Sequence, residues 1–226
     1  MFFYILSNYW LKKNCKLRRV FVHDLHYRKQ FNTALIIVKR EFAQKDPAFM
    51  AECAGAAWEE GSLKFKYCGC PAVVQYPSGR VSLEGALPSH EEEIFMLQYL
   101  TWAKGLPPRG RWLSFKDLRG GPHHWVPFQK EILFPLASAY KHDSDAFQRT
   151  ILSLGGELTS QADAAGIIYI LPKMPLYYLL WEASGEYPPR SAVLFDQVSE
   201  TYLPTASLYV MAIEATRRIF LKRRDE

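Results

Sequence analysis

Residues 167–204 read IIYILPKMPLYYLLWEASGEYPPRSAVLFDQVSETYLP, and this stretch decides the fold. Ala165 to Leu171 and Leu176 to Trp181 are apolar runs of strand length, joined by Pro172-Lys173-Met174-Pro175. Two strands linked by a tight, proline-stiffened turn pair antiparallel. Ser191 to Phe195 adds a short strand. Downstream, Thr205 is read as the cap of a final helix carrying Leu208, Met211, Ala212, Ala215 and Ile219 on one face.

Working upstream, Asp143 caps a helix that ends at Gly155-Gly156, and His124 to Tyr140 predicts a helix kinked at Pro135. Trp112 to Phe115 suits a short strand. Ser89 and Glu92 form a capping box for a helix through Lys104. Ala72 to Tyr76 and Arg80 to Leu83 flank Pro77-Ser78-Gly79 as a hairpin. Leu63, Phe65 and Tyr67 alternate with Lys64 and Lys66, the pattern of a half-buried strand. Tyr27 to Gln44 is helical by the spacing of Phe31, Ala34, Leu35, Val38 and Phe42. Asp46-Pro47 opens a second, alanine-rich helix expected to run to about Glu60 and to end at Gly61. Helices and antiparallel strands segregate instead of alternating as βαβ units, so the fold class is α+β: one domain, small antiparallel sheets packed with several amphipathic helices.

Composition sets the outer limits. The chain has 226 residues, 49% hydrophobic and 23% charged, which suits one folded core and argues against disorder. Residues 1–30 hold seven basic side chains against Asp24 alone, and the last ten hold five against two acids. Subtracting +6 and +3 from the overall +5 leaves −4 for residues 31–216. A mildly acidic body with basic ends lacks the basic face of a nucleic-acid binder, so no nucleic acid is expected. Four cysteines (Cys15, Cys53, Cys68 and Cys70) show no disulfide framework, which points to reduced thiols and a cytoplasmic protein. Met1 to Leu11 is apolar but too short to span a bilayer. It suits either a membrane-surface arm or an extension outside the fold, with the true start near Val20 or Val22. The second reading divides the chain into a basic extension, 1–30, and an α+β domain, 31–221.

Three constellations carry possible chemistry. Trp181-Glu182-Ala183-Ser184-Gly185-Glu186-Tyr187-Pro188-Pro189-Arg190, followed by Asp196, places carboxylates, aromatics and an arginine on a loop beyond an apolar strand. Loops on a rigid sheet often bind, so Trp181, Glu182, Glu186, Arg190 and Asp196 are the candidate binding residues. The carboxylates suit acid/base work or cation binding. They equally suit an ion pair of Glu182 or Glu186 with Arg190 and a cap by Asp196, which are commoner roles. Cys68-Gly69-Cys70, read as strand, puts both thiols on the lysine face, where nearby ammonium groups favour thiolate. Two cysteines without a second pair do not close a metal site, so neither metal nor cofactor is evident and ordinary strand cysteines are expected. His123-His124 follows Arg119-Gly120-Gly121-Pro122. It matches no phosphate-binding motif, and exposed histidines at a helix entry are the simpler expectation.

Leu171-Pro172-Lys173-Met174-Pro175, Leu179-Leu180-Trp181-Glu182, Glu186-Tyr187-Pro188, Leu194-Phe195-Asp196 and Tyr202-Leu203-Pro204 resemble an uncharacterised family catalogued as "domain of unknown function 3786". Leu97 to Leu100 and Gly110-Arg111-Trp112 through Gly120-Gly121 fit it too, and the resemblance runs from about Phe31 to Arg218. It carries no activity. It implies an anaerobe and, by association, an iron–sulfur or corrinoid protein partner in redox or one-carbon metabolism. This chain lacks the iron–sulfur cysteines of some members. Ser184 and Gly185 also stand where similar sequences tend to be acidic. Two functions follow as expectations: a non-catalytic binding or accessory domain, or a small enzyme with Glu182 or Glu186 as acid/base and His123 or His124 nearby.

Overall fold

The hairpin of residues 164–181 forms as its pattern predicts. In the computed structural model, which describes residues 21–84 and 87–224, β7 (Ala164–Leu171) and β8 (Met174–Trp181) pair antiparallel from Ala164↔Leu180 to Leu171↔Met174. The turn is only Pro172-Lys173. Met174 to Leu180 are all buried, because β8 is the central strand. On its other side β9 (Arg190–Asp196) pairs from Leu176↔Phe195 to Trp181↔Arg190. The edges are β5 (Trp112–Ser114) and β6 (Glu157–Thr159), giving the antiparallel order β5-β9-β8-β7-β6.

A second antiparallel sheet holds β1 (Ala57–Glu59), β2 (Ser62–Tyr67), β3 (Cys70–Gln75) and β4 (Arg80–Leu83) in sequence order. Leu63, Phe65 and Tyr67 are buried, as their alternation requires. Around the sheets lie α1 (Phe21–Ala43), α2 (Pro47–Ala54), α3 (His90–Trp102), α5 (Ser144–Ser153) and α6 (Thr205–Arg224). Helix α4 (125–139) is Trp125–Phe128, a π turn Gln129–Leu133, and Phe134–Ala139 end to end. One buried cluster draws on both sheets and all six helices, with the Phe115 and Phe128 rings stacked 4.3 Å apart near its centre. The class is α+β. Of the expected basic extension 1–30, residues 1–20, with both readings of Met1 to Leu11, lie outside the described residues, and 21–30 fall within α1.

Three caps stand where local chemistry puts them. The Phe49 N–H donates to Asp46 Oδ1 at 2.7 Å, and the Ala146 N–H to Asp143 Oδ1 at 3.0 Å. Ser89 and Glu92 satisfy each other's backbone N–H at 3.1 and 2.8 Å. Three expectations need correction, and a fourth, the kink at Pro135, gains a local cause. Helix α2 ends at Ala54, not near Glu60, because Gly55 takes the left-handed C-cap conformation (φ 69°) and Ala57 to Glu59 become an edge strand. Cys68 and Gly69 are not strand but the two-residue turn of a hairpin, both at positive φ (47° and 78°). Gly69 is required there, since a Cβ would sit 2.6 Å from the Leu154 carbonyl oxygen. Helix α4 accommodates Pro135 by a π turn just before it, which absorbs the hydrogen bond that proline cannot make. Thr205 does not cap α6: its hydroxyl donates to the Arg119 carbonyl at 2.7 Å, and it is the first helical residue.

Candidate functional site

Strand alternation divides the five-stranded sheet into two unlike faces. Leu176, Tyr178 and Leu180 of β8, with Val193 and Phe195 of β9, point into the main core. Tyr177, Leu179 and Trp181, with Ala192 and Leu194, point the other way. There Ala165, Tyr177 and Leu179 form a separate buried cluster beneath the half-buried Trp112, Trp181 and Leu194. The Trp112 and Tyr177 rings lie 5.0 Å apart. The Tyr177 hydroxyl is anchored by Gln161 and by Thr159, so the β6–β7 connection folds over one flank of this face.

The Trp181–Arg190 loop borders that face. Arg190 stands opposite Trp181 in the β8–β9 register, with its guanidinium carbon 5.5 Å from the indole centroid. Glu182 does not pair with Arg190. Its Oε1 accepts the Ser144 N–H at 2.7 Å at the start of α5, and its own N–H donates to Asp163 Oδ2 at 2.8 Å. The Ala183 N–H donates to the Lys141 carbonyl at 3.0 Å. Glu182 therefore ties the loop to a helix N-terminus, where a carboxylate is favoured. Beyond it, Ser184 and Tyr187 exchange backbone hydrogen bonds around a turn that exposes Glu186 and leaves Tyr187 77% exposed.

Asp196 is elsewhere. It closes β9 at the opposite end, about 20 Å along the strand from Arg190, and is fully buried. Its carboxylate accepts the N–H groups of Arg109 (3.0 Å), Gly110 (2.6 Å) and Val198 (2.9 Å). Asp196 thus staples the Arg109-Gly110 segment to the sheet, and the structure does not bring it together with Trp181, Glu182, Glu186 and Arg190. Those four share one end of the sheet.

His123 and His124 sit in a 3-10 turn before α4. Burial and the neighbouring His123 push the His124 imidazole below its usual range. Along α4 the rise of ~1.5 Å per residue puts His124 about 13 Å before Leu133, whose carbonyl accepts the Ser191 hydroxyl. The histidines stand on the turn that leads into α4, and Glu182 is held at the start of α5. Cys68 corrects the thiolate expectation: it is buried, and burial pushes its thiol up, against reactivity. Among the described residues no cluster of three or more histidines, cysteines or acids is placed to hold a metal ion. No described helix is long and apolar enough to cross a membrane.

Sequence reasoning passed over four residues. Trp112 and Tyr177 build the outer face, and strict alternation from Leu176 to Trp181 would have placed Tyr177 there. Glu131, inside the π turn, is buried. Its Oε2 accepts the Tyr209 hydroxyl at 2.7 Å, and Oε1 has no partner among the described residues. Burial pushes its carboxyl up, partly opposed by Tyr209. Glu214 of α6 is buried as well and is pushed to about 7, mainly by burial. Nothing in local sequence marks either acid as interior.

No curated protein and no solved structure matches this chain. A family model does match, over residues 46–218, from the cap of α2 to the last turns of α6. That span holds both sheets and the whole outer face but leaves out α1. The chain belongs to the family described as Domain of unknown function (DUF3786).

Proposed function

We propose that this chain is a non-catalytic binding domain that docks a protein partner on the outer face of its five-stranded sheet, at the Trp181–Arg190 end. The observation that carries the reading is the separate apolar cluster under Trp112, Trp181 and Leu194. An ordinary solvent-facing side of an antiparallel sheet is polar. Aromatic side chains and arginine are the usual anchors of protein interfaces, and exposed Tyr187 adjoins them. The family resemblance supplies the partner class, an iron–sulfur or corrinoid protein of an anaerobe.

The alternative, Glu182 or Glu186 as acid/base, draws little support from the geometry. Glu182 is engaged by the Ser144 N–H, and Glu186 stands in solvent on a turn. Glu182→Gln is for that reason a poor probe of binding. Tyr187→Ala and Arg190→Ala remove exposed side chains and leave the sheet intact. Anaerobic pull-down with the full chain should recover a partner that both substitutions together deplete at least several-fold. Equal recovery by the double variant, or no partner at all, contradicts the reading.

A further inference from the structure

The four-stranded sheet ends on an open edge. Strand β4 pairs with β3 on one side only, in the register Ala72↔Leu83, Val73↔Ser82, Val74↔Val81 and Gln75↔Arg80. The Glu84 N–H extends this ladder by one residue, donating to the Pro71 carbonyl at 3.2 Å. Opposed residues of an antiparallel pair alternate between hydrogen-bonded and non-hydrogen-bonded. With Glu84 bonded, Ser82 and Arg80 are the other residues whose backbone faces β3. The Tyr76 N–H, which donates to the Gly61 carbonyl on the opposite flank of β3, fixes the same phase. Val81 and Leu83 therefore turn their N–H and C=O groups outward, where no hydrogen bond from another described segment reaches them.

The side chains alternate as well. Val81 and Leu83 are buried, while Arg80, Ser82 and Glu84 share the exposed face. Arg80 and Glu84 make no ion pair among the described residues. They carry opposite charges and stand at equal spacing on either side of Ser82.

We propose that the open edge of β4 is a self-association surface, on which two copies of this chain pair antiparallel and join their four-stranded sheets into one. With a two-fold axis at Ser82, Val81 of each copy stands opposite Leu83 of the other. Their outward N–H and C=O groups then satisfy each other. Ser82 meets Ser82, and Arg80 of each copy meets Glu84 of the other. These last are non-hydrogen-bonded pairs, whose Cα atoms approach to about 4.5 Å and whose side chains interact most closely. Charge on an exposed edge normally holds copies apart. Here the two-fold sets each charge against its opposite, at both ends of the joint. An isologous contact of this kind consumes the β4 edge of both copies and closes at a dimer. The surface lies on the other sheet from the proposed docking face and does not rest on that reading.

Sedimentation velocity of the full chain tests it. A dimer of the 26.1 kDa chain should grow with concentration and weaken with added salt. Arg80→Glu sets like charges opposite each other at both ends and should weaken the dimer by about tenfold or more. Combining Arg80→Glu with Glu84→Arg exchanges the charges and should restore affinity to within about threefold. A chain that stays monomeric up to about 1 mM, a dimer that Arg80→Glu does not weaken, or one that the exchange does not restore overturns the proposal. Amide hydrogen exchange on the unaltered chain locates the contact: the Val81 and Leu83 amides should slow as concentration rises. Rates at these two amides that do not change with concentration overturn it, slow ones because the edge is then covered within a single chain.

Discussion

The two ends of β9 carry charged residues and do opposite things with them. At the Asp196 end a carboxylate is fully buried and satisfied by three backbone N–H groups of two other segments. At the Arg190 end a guanidinium lies over an indole at the protein surface, beside the exposed Glu186 and Tyr187. A single strand therefore mixes staples with surface. Burial and hydrogen-bond partners sort them, and residue type does not. The functional question belongs to the Arg190 end alone.

Substitutions can break this contrast. Asp196→Ala should have the largest effect, about 3 kcal/mol or more, because three N–H donors lose their acceptor at once. Chemical denaturation reads it, and a loss under about 1 kcal/mol would remove the staple from the account. Glu182 is intermediate. Glu182→Ala should cost about 1 kcal/mol by leaving the Ser144 N–H at the start of α5 without its acceptor, while Glu182→Gln, which keeps an acceptor oxygen for Ser144, should recover most of that. If Gln and Ala cost the same, charge at the helix N-terminus and not the hydrogen bond is what matters. Arg190→Ala should be smallest, about 0.5 kcal/mol, so that any lost binding reflects the surface and not the fold.

What the sequence made legible follows the range of the interactions. Asp46-Pro47, Asp143 and the Ser89–Glu92 box act within three residues of themselves, and each was readable. The β7–β8 pairing was readable because the turn is short and both strands are apolar throughout. Asp196 was read as a binding candidate or a cap; its role as a staple was not legible, since its partners Arg109 and Gly110 lie 87 and 86 positions upstream. Thr205 failed in the same way, with Arg119 86 positions away. Two errors were local. Gly55 interrupts an alanine-rich run that composition alone prolongs. Cys68 adopts a left-handed turn conformation rare for a residue with a Cβ, so Cys68-Gly69 did not announce a hairpin. The outer face was half legible: Trp181 and Arg190 were named, while Trp112 had to be brought beside Tyr177 by the pairing of β5 with β9.

Amide hydrogen exchange on the unaltered chain tests the division of β9 most directly. The amides of Arg109, Gly110 and Val198, held by the buried Asp196, should exchange on the slow timescale of global unfolding. Those of Gly185 and Glu186, at the tip of the surface turn, should exchange orders of magnitude faster. Comparable rates at the two ends would contradict the account, because Asp196 would then be no staple and the Arg190 end no distinct surface.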